Sequence, residues 1–375
     1  MKVLFLVKCS IDKYGVSNVL FHLCNELRKR GIETVIFKRT SGDLTCEFSK
    51  KFNAKIYKGK FPKVGRFFKN RNIKHIKEVV KKEKIEYIFA HSFYESGYVA
   101  MRIAKDIGIP FIVTDHGEVR HHESSRYKRK RVQKRCKKII EKAKFVTCLT
   151  KNHKESFFTL FGNYDNIKVI PNGIELESIL ACDSQSKNYI LSASRFHPIK
   201  GIDVLVSAYA KYVKQNGQKA LVLAGSGENE ESLIQQINEY ELNLVKSFPK
   251  DGVYLPKTVY MPGYVDGDIK YQMICEASCC VLPSYAEGFG LFLYEAIAGK
   301  KVIFASKLGS FNDILPKHMM FETGNSNDLA SKLLEYKQNS KIFTNYTSEM
   351  FDKVIKLNWS NIADDYIKLL GSSAS

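Results

Sequence analysis

The sequence has no apolar run that approaches the roughly 18 residues of a membrane-spanning helix, and it has no low-complexity tract or internal repeat. Its first apolar run, Val3–Val7, is followed by Lys8 and is too short for the core of an export signal, so it is predicted to be a buried strand. The sequence therefore predicts a folded cytoplasmic protein, neither exported nor membrane-spanning.

The nine cysteines are odd in number and scattered, which argues against a disulfide framework. Cys275, Cys279 and Cys280 form the only cluster. Because they lie where a predicted helix passes into an apolar strand, they are expected to be small core residues and not metal ligands. The sequence therefore predicts reduced thiols and no metal site.

Positive charge is concentrated in the first half of the chain. The net charge is +20; residues 1–186 hold 39 Lys and Arg against 19 Asp and Glu, whereas residues 187–375 hold 20 of each. Residues 126–144 combine this charge with apolar residues at helical spacing, which predicts an amphipathic helix with a basic outer face. Because no nucleic-acid-binding motif accompanies the charge, an anionic membrane surface is the better partner, with a solvated face as the alternative.

The length suits two domains, and the first half alternates strand and helix patterns in the way typical of an open α/β sheet. A polar stretch at 175–187 is predicted to be a linker, and a second alternating pattern begins at Asn188. Residues 241–257 form a long connection without an evident role. The predicted strands of the first half are 3–7, 32–37, 85–90, 109–114, 144–149 and 167–170, and its helices are 16–30, 70–84, 93–107, 126–143 and 152–161.

Residues 283–296 combine an apolar run, a loop broken by glycines and a predicted helix. Gly288 and Gly290 allow the backbone to turn sharply and to approach a ligand closely. The helix that starts near Leu291 offers free N–H groups and a positive dipole end, which suit an anion. This stretch therefore predicts a phosphate-binding loop.

Two carboxylates, Glu287 and Glu295, flank the same loop. A carboxylate is repelled by a phosphate, so its presence there is best explained by hydroxyl groups that donate hydrogen bonds to it, such as those of a ribose and a hexose. The alternative is that both are solvated surface residues. Together with the phosphate loop, the pair suggests a nucleotide sugar as ligand.

Arg195 and Lys200 precede a predicted helix at 201–216. A planar guanidinium and a compact ammonium both suit phosphate, while a pair of surface cations is the alternative. Asp266 and Asp268 form a D-x-D pattern, a spacing that can bind a metal ion. Because they open a predicted helix, capping is favoured over metal binding.

In the first half, candidate ligand contacts lie beyond the carboxyl ends of predicted strands. They are the loop from Lys8 to Ser17, which contains Gly15; the pair at 91–92; and His116. His116 directly follows an apolar strand, where a core histidine is not expected, so a functional role is favoured.

Taken together, these motifs resemble the retaining GT-B glycosyltransferases of family 4. The resemblance rests on E-x7-E around G-F-G-L at 287–295, R-x4-K-G at 195–201 and V-I-P-N-G-I at 169–174. It implies an α/β GT-B fold: two facing Rossmann-like domains, 1–180 and 187–356, with a deep cleft and a C-terminal helix, 357–371, that crosses back to the first domain.

The resemblance also implies an activity. A sugar would move, with retention, from a nucleoside diphosphate donor, UDP-linked, to a hydroxyl of a lipid-linked or polysaccharide acceptor at the inner face of the membrane, without metal or cofactor. A GT-B sugar-nucleotide epimerase, or a basic membrane- or nucleic-acid-binding protein without activity, are the alternatives.

The resemblance assigns roles to individual residues as well. The catalytic residues would be Glu287, which holds the hexose, His116 over the donor sugar, and Arg195 and Lys200 at the leaving diphosphate. Family members usually carry Gly-Gly where this chain has Tyr14-Gly15. The donor-binding residues would be Gly15, Arg195, Lys200, Gly225, Gly263, Tyr264, Phe289, Gly290, Leu291 and, for the ribose, Glu295.

Overall fold

The computed structural model describes residues 1–8, 16–60, 73–119, 126–182 and 185–371. The chain divides into two compact units. Unit 1 comprises Met1–Gly173 and the segment from Trp359 onward, and unit 2 comprises Ile174–Asn358. In the described part of the chain, no helix combines the length and apolar character needed to cross a membrane.

Unit 1 is built on one eight-stranded sheet in the order β3-β4-β2-β1-β5-β6-β7-β8, in which only the β3–β4 pair is antiparallel. The centre of this sheet is fully buried, as the 0% exposure of Val3–Val7 on β1 shows. Its strands and helices are β1 (Lys2–Val7), α1 (Val16–Lys29), β2 (Glu33–Thr40), β3 (Thr45–Ser49), β4 (Ala54–Lys60), α2 (Lys74–Lys82), β5 (Tyr87–His91), α3 (Glu95–Ile107), β6 (Phe111–Thr114), α4 (Lys130–Lys142), β7 (Phe145–Cys148), α5 (Lys151–Phe161) and β8 (Ile167–Val169).

The C-terminal helix, Trp359–Gly371, completes unit 1. The buried Tyr366 places its hydroxyl 3.2 Å from Thr114 Oγ1, and the Trp359 ring stacks on His22 with 4.9 Å between centroids. Gly173 leaves room for this indole, because a Cβ at that position would lie 2.5 Å from Cδ2 of Trp359. The glycine of the V-I-P-N-G-I motif is therefore required for close packing of the last helix.

Unit 2 holds an all-parallel seven-stranded sheet in the order β11-β12-β10-β9-β13-β14-β15. Its two ends are adjacent, since Ile174 N–H donates to the Leu357 carbonyl at 2.7 Å. Its elements are α6 (Leu176–Leu180), β9 (Tyr189–Ala193), α7 (Ile202–Lys214), β10 (Ala220–Ala224), α8 (Glu230–Glu239), β11 (Asn243–Val245), β12 (Thr258–Gly263), α9 (Gly267–Glu276), β13 (Cys279–Leu282), α10 (Leu291–Ala298), β14 (Ile303–Ser306), β15 (Met320–Phe321), α11 (Ser326–Gln338), α12 (Ser340–Thr344) and α13 (Thr347–Val354).

Two stretches differ from the sequence-based expectation. The predicted linker 175–187 contains helix α6, whose Leu176 and Ile179 are buried, so its first part is packed structure that belongs to unit 2. The connection 241–257 supplies the edge strand β11, and its Tyr254 packs on Tyr189 with 4.3 Å between ring centroids. Both stretches therefore contribute to the core of unit 2.

Candidate functional site

In unit 2 the order of the parallel strands changes direction between β9 and β13. Loops that leave the carboxyl ends of strands on either side of such a switch point form a crevice where ligands bind in open α/β sheets. The loop after β9 carries Arg195 and Lys200, and the loop after β13 carries Glu287. Sheet order thus brings together motifs that lie almost ninety residues apart in sequence.

Backbone contacts hold these loops in place. Tyr285 N–H donates to the Ile199 carbonyl at 2.8 Å, which ties the loop after β13 to the loop after β9. A Cβ at Gly225, after β10, would lie 1.9 Å from the Ser194 carbonyl oxygen, so only glycine permits this approach. Gly225 therefore has a packing role in the neighbouring loop, beside the predicted contact with a nucleotide.

Arg195 is exposed, and its guanidinium has no hydrogen bond or ion pair to any residue that the structure describes. The backbone beneath it is fixed by the Ser194 and Phe196 N–H groups, which donate to the Ala224 and Ser226 carbonyls at 3.0 and 2.9 Å. Its five N–H donors are therefore available to an anion at the switch point.

Lys200 and Glu287 are paired, a contact that the sequence reasoning did not anticipate. Lys200 Nζ lies 2.6 Å from Glu287 Oε1, and the buried Ser284 hydroxyl donates to the same oxygen at 2.8 Å. The two charged side chains are 24% and 9% exposed. An ammonium has three N–H donors, so Lys200 can hold this carboxylate and still donate to a phosphate beside it.

Glu295, on α10, also has a partner. Its Oε1 lies 2.7 Å from Nζ of Lys270 on α9, with side-chain exposures of 8% and 15%. Burial on its own lowers the pKa of Lys270, but the charge and hydrogen bond of Glu295 outweigh it, so the net effect is a pKa above the ordinary value. Glu295 is thus held in place by a largely buried lysine, while its second oxygen can accept from a ligand hydroxyl.

Helix α10 begins where the loop after β13 ends. Gly290, with φ +82°, precedes Leu291, whose N–H group is among those that have no partner within the helix. Phe289 is 4% exposed and stacks on Tyr294 with 4.0 Å between parallel rings. The Phe289 side chain therefore belongs to the core, which leaves only its backbone available to a ligand.

At the end of β12, Gly263 accepts the Gly225 N–H at 2.8 Å, and the exposed Tyr264 donates its hydroxyl to Asp266 Oδ2 at 3.0 Å. Asp266 is the N-cap residue of α9, and its Oδ1 accepts the Gly267 N–H at 2.9 Å. The preference for capping at this D-x-D pattern is confirmed. No group of three His, Cys, Asp or Glu residues within the described ranges is arranged to hold a metal ion.

In unit 1 the structure places His116 against a second histidine. His116 Nε2 lies 2.9 Å from Nδ1 of the buried His91, the last residue of β5, and the two rings stack at 5.2 Å. The other nitrogen of His91 is buried without a hydrogen-bond partner among the described residues. An orphaned acceptor is tolerated better than an orphaned donor, so the favoured arrangement has His91 Nδ1–H donating and His116 protonated on Nδ1.

Burial holds both histidines neutral. It lowers the pKa of His116 to about 4, although the nearby Asp115 charge opposes the shift, and it lowers the pKa of His91 well below the usual range. Burial raises the pKa of Asp115, but His153, whose Nε2 lies 2.9 Å away, and two backbone N–H groups hold it below its ordinary value. At neutral pH, His116 is therefore an uncharged hydrogen-bonding group.

Acidification from pH 6.5 to 4 is expected to destabilise unit 1. The unfolded chain binds protons on His116 near 6.5 whereas the folded chain does so near 4, so the stability is fully present above 6.5 and is lost as the pH falls towards 4. At about 1.4 kcal/mol per pKa unit, His116 accounts for roughly 3 kcal/mol. Thermal melts across this range should show a shallower slope for His116→Asn; an unchanged slope would contradict the assignment.

One predicted site residue is not described, and two residues of the site were not predicted. Gly15 lies outside the described residues. Lys270 and Ser284 were missed by the sequence reasoning. A lysine within the helix predicted to open at Asp266 gives no signal of burial, and a serine that ends a strand is common in turns. Only the placement of α9 against α10 and the turn after β13 reveals their carboxylate partners.

Comparisons with known proteins agree with this arrangement. Residues 14–178 match the family model described as Glycosyltransferase Family 4, and residues 183–350 match the model described as Glycosyl transferases group 1. The gpi3 subunit of phosphatidylinositol N-acetylglucosaminyltransferase from Schizosaccharomyces pombe is 25% identical over 312 residues, which cover 80% of this chain and 64% of that protein. The chain thus spans less than two thirds of that relative.

Solved structures share the fold over nearly the whole chain. Sucrose-phosphate synthase from Thermosynechococcus elongatus has a TM-score of 0.76 at 19% identity, with 98% of each chain covered. HepE from Anabaena, in complex with UDP-glucose, has a TM-score of 0.74 at 17% identity, with 99% of each covered. These likenesses confirm the predicted α/β GT-B class, and with the two family models they lead to one conclusion: this chain belongs to family 4 of the GT-B glycosyltransferases.

Proposed function

We propose that this glycosyltransferase moves a hexose or N-acetylhexosamine from a UDP-linked donor, with retention at the anomeric carbon, to a hydroxyl of a lipid-linked or polysaccharide acceptor. The observation that carries the proposal is the crevice of unit 2, where Arg195, the Lys200–Glu287 pair and the α10 N-terminus lie on the two sides of one switch point. Cations and carboxylates there match a ligand with both phosphates and hydroxyls.

The leaving group is a nucleoside diphosphate, which gains negative charge as the sugar bond breaks. Arg195 supplies a planar guanidinium that has no partner among the described residues, and Lys200 supplies two further N–H donors. The free N–H groups and positive dipole end of α10 add to them at the same switch point. Fixed donors of this kind stabilise developing charge without reorganisation. We propose that they serve in place of a divalent metal.

The two carboxylates divide the recognition of hydroxyl groups. Glu295, fixed by Lys270, is proposed to accept from the ribose, and Glu287, fixed by Lys200 and Ser284, from the hexose. Because Lys200 contacts both Glu287 and the proposed phosphate position, it links sugar recognition to leaving-group stabilisation. His116 remains a proposed catalytic residue, in its neutral state.

Retention without a side-chain nucleophile implies that a phosphate oxygen of the donor takes the acceptor proton on the face that the diphosphate leaves. The choice of UDP is supported by the HepE complexes with UDP and UDP-glucose. The choice of an N-acetylhexosamine is supported by the N-acetylglucosaminyltransferases among the relatives.

Transfer is expected to proceed in saturating EDTA at the rate seen with added magnesium or manganese, because the chain itself supplies the cations at the phosphate. The measurement uses UDP-glucose and UDP-N-acetylglucosamine in turn, first for hydrolysis and then for transfer, with the anomeric configuration of the product read by NMR.

Three outcomes would contradict the proposal. Complete loss of transfer in EDTA that manganese restores would refute metal independence. An inverted anomeric centre would refute retention. A donor converted into an epimeric UDP-sugar without any acceptor would favour the epimerase alternative over transfer.

A further inference from the structure

A groove of about 780 Å³ lies between α3 and α4 of unit 1. It reaches the amino end of β6, since Ile109, Pro110 and Phe111 line it, whereas His116 lies beyond the carboxyl end of the same strand. Because the two ends of a strand are at opposite edges of a sheet, the groove is separate from the His116 site. Nothing in the proposed transfer uses it.

The wall formed by α4 is strongly basic. Arg131, Lys134, Arg135, Lys138 and Lys142 line the groove, and positions three or four apart fall on one side of a helix. Cys136, Ile139 and Ile140 on the same helix are buried in the core, which fixes the basic side outward. The predicted amphipathic helix is confirmed, although it starts at Lys130 and not at residue 126.

The opposite wall, α3, adds two more cations, Arg102 and Lys105. In total, seven of the fourteen lining residues are basic and one, Glu141, is acidic. Like charges held close together repel one another, and an anionic ligand would relieve that repulsion. The charge balance therefore fits an occupant with several negative charges or an array of them.

The floor of the groove is apolar. It is formed by Tyr98 and Met101 of α3 together with Ile109, which are all partly exposed. The Arg135 guanidinium lies 5.2 Å from the centroid of the Tyr98 ring, so a cation is fixed directly over an aromatic surface. A small inorganic anion needs no such floor, whereas an amphiphile with an anionic headgroup uses both parts.

We propose that the groove between α3 and α4 binds the headgroup region of an anionic phospholipid and docks unit 1 on an anionic membrane surface. The phosphates contact the Lys and Arg side chains of both walls, and the glycerol and first methylene groups contact Tyr98, Met101 and Ile109. Seven cations on one surface also attract the remaining anionic lipids around the bound one, and salt screens this attraction.

The test uses the full chain and vesicles of phosphatidylcholine alone or mixed equally with phosphatidylglycerol. Co-sedimentation should be strong with the mixed vesicles and weak with phosphatidylcholine alone. Lys134→Glu combined with Lys138→Glu should lower partition into the mixed vesicles by at least about tenfold, since each cation near such a surface adds about fivefold. Unchanged circular dichroism and melting would show that the variant is folded.

The matched control is Lys130→Glu combined with Lys137→Glu. These two residues are also exposed on α4 and give the same change in net charge, but they do not line the groove. Their replacement should lower partition clearly less. An equal loss of vesicle binding in both double variants would overturn the proposal, because it would show that diffuse surface charge and not the groove binds the vesicles.

A second variant separates a lipid from a soluble polyanion. Met101→Gln keeps the size of the side chain but makes the floor polar, so it should weaken vesicle binding about threefold and leave binding of inorganic polyphosphate unchanged. Binding of polyphosphate without any binding to the mixed vesicles would overturn the proposal. Vesicle binding that is unchanged by Met101→Gln and by both double lysine variants would also overturn the proposal.

Discussion

Arg195→Ala is expected to lower the turnover of sugar transfer by about 10²–10³-fold, the usual effect of removing a donor that stabilises developing charge. The melting temperature should stay unchanged, because the guanidinium is exposed and has no partner in the described structure. The measurement is kcat at saturating donor together with a thermal melt. A folded variant that transfers sugar at the parent rate would rule out contact between Arg195 and the leaving group.

Lys200→Ala should cause a similar loss of turnover but should also cost stability, about 1–3 kcal/mol, because Glu287 keeps a largely buried charge without its partner. Lys200→Ala combined with Glu287→Gln removes that stranded charge. The double variant should recover the melting temperature and remain as slow as the single one. Recovery of activity in the double variant would mean that Lys200 acts only by neutralising Glu287.

Lys270→Met is expected to lower the free energy of unfolding by about 3–5 kcal/mol, the cost of leaving one member of a buried ion pair unpaired. The reason is that Glu295 is 8% exposed and has Lys270 as its ionic partner at 2.7 Å. Adding Glu295→Gln should restore most of the stability, because the buried charge is then gone. Denaturant unfolding of the parent, of Lys270→Met, of Glu295→Gln and of the double variant gives the coupling free energy between the two residues.

The control for this prediction is Lys353→Met, which breaks an exposed Lys353–Glu349 pair at 2.8 Å on α13. An exposed pair contributes about 0–1 kcal/mol, so little change is expected. Titration calorimetry with UDP supplies the second readout: Glu295→Gln should weaken binding even where stability is restored. If Lys270→Met unfolds no more easily than the control, the pair is open to solvent and cannot fix Glu295 for a ribose.

The sequence allowed good prediction of elements with a strong apolar period. The elements β1, α1 and α5 differ from their predicted bounds by one residue. Strand β3 was not predicted. Its residues Thr45–Phe48 are all exposed, so the strand lacks the alternation of apolar and polar residues that marks a half-buried strand. Helix α6 is five residues long and lies in a polar stretch that carries no period.

For the site, the residue types were predictable but their partners were not. Glycine, arginine, lysine and glutamate can each be assigned to phosphate or hydroxyl chemistry from local motifs. The pairing of Lys200 with Glu287 depends on β9 and β13 being neighbours in the sheet, although β10, β11 and β12 lie between them in sequence. Local patterns carry no information about that order. They also do not reveal that Lys270 and Glu295 are paired, because this contact depends on how α9 packs against α10.

The position of Trp359–Gly371 in unit 1 has a consequence for synthesis of the protein. The nascent chain emerges amino end first, so the ribosome releases all of unit 2 before the helix that covers Phe89, Thr114 and Tyr87 of unit 1. Unit 2 is continuous in sequence and its ends meet at Ile174 and Leu357. It can therefore fold as an inserted domain before the last helix of unit 1 has been synthesised. Premature termination before Trp359 would therefore leave unit 1, which is synthesised first, without its last helix.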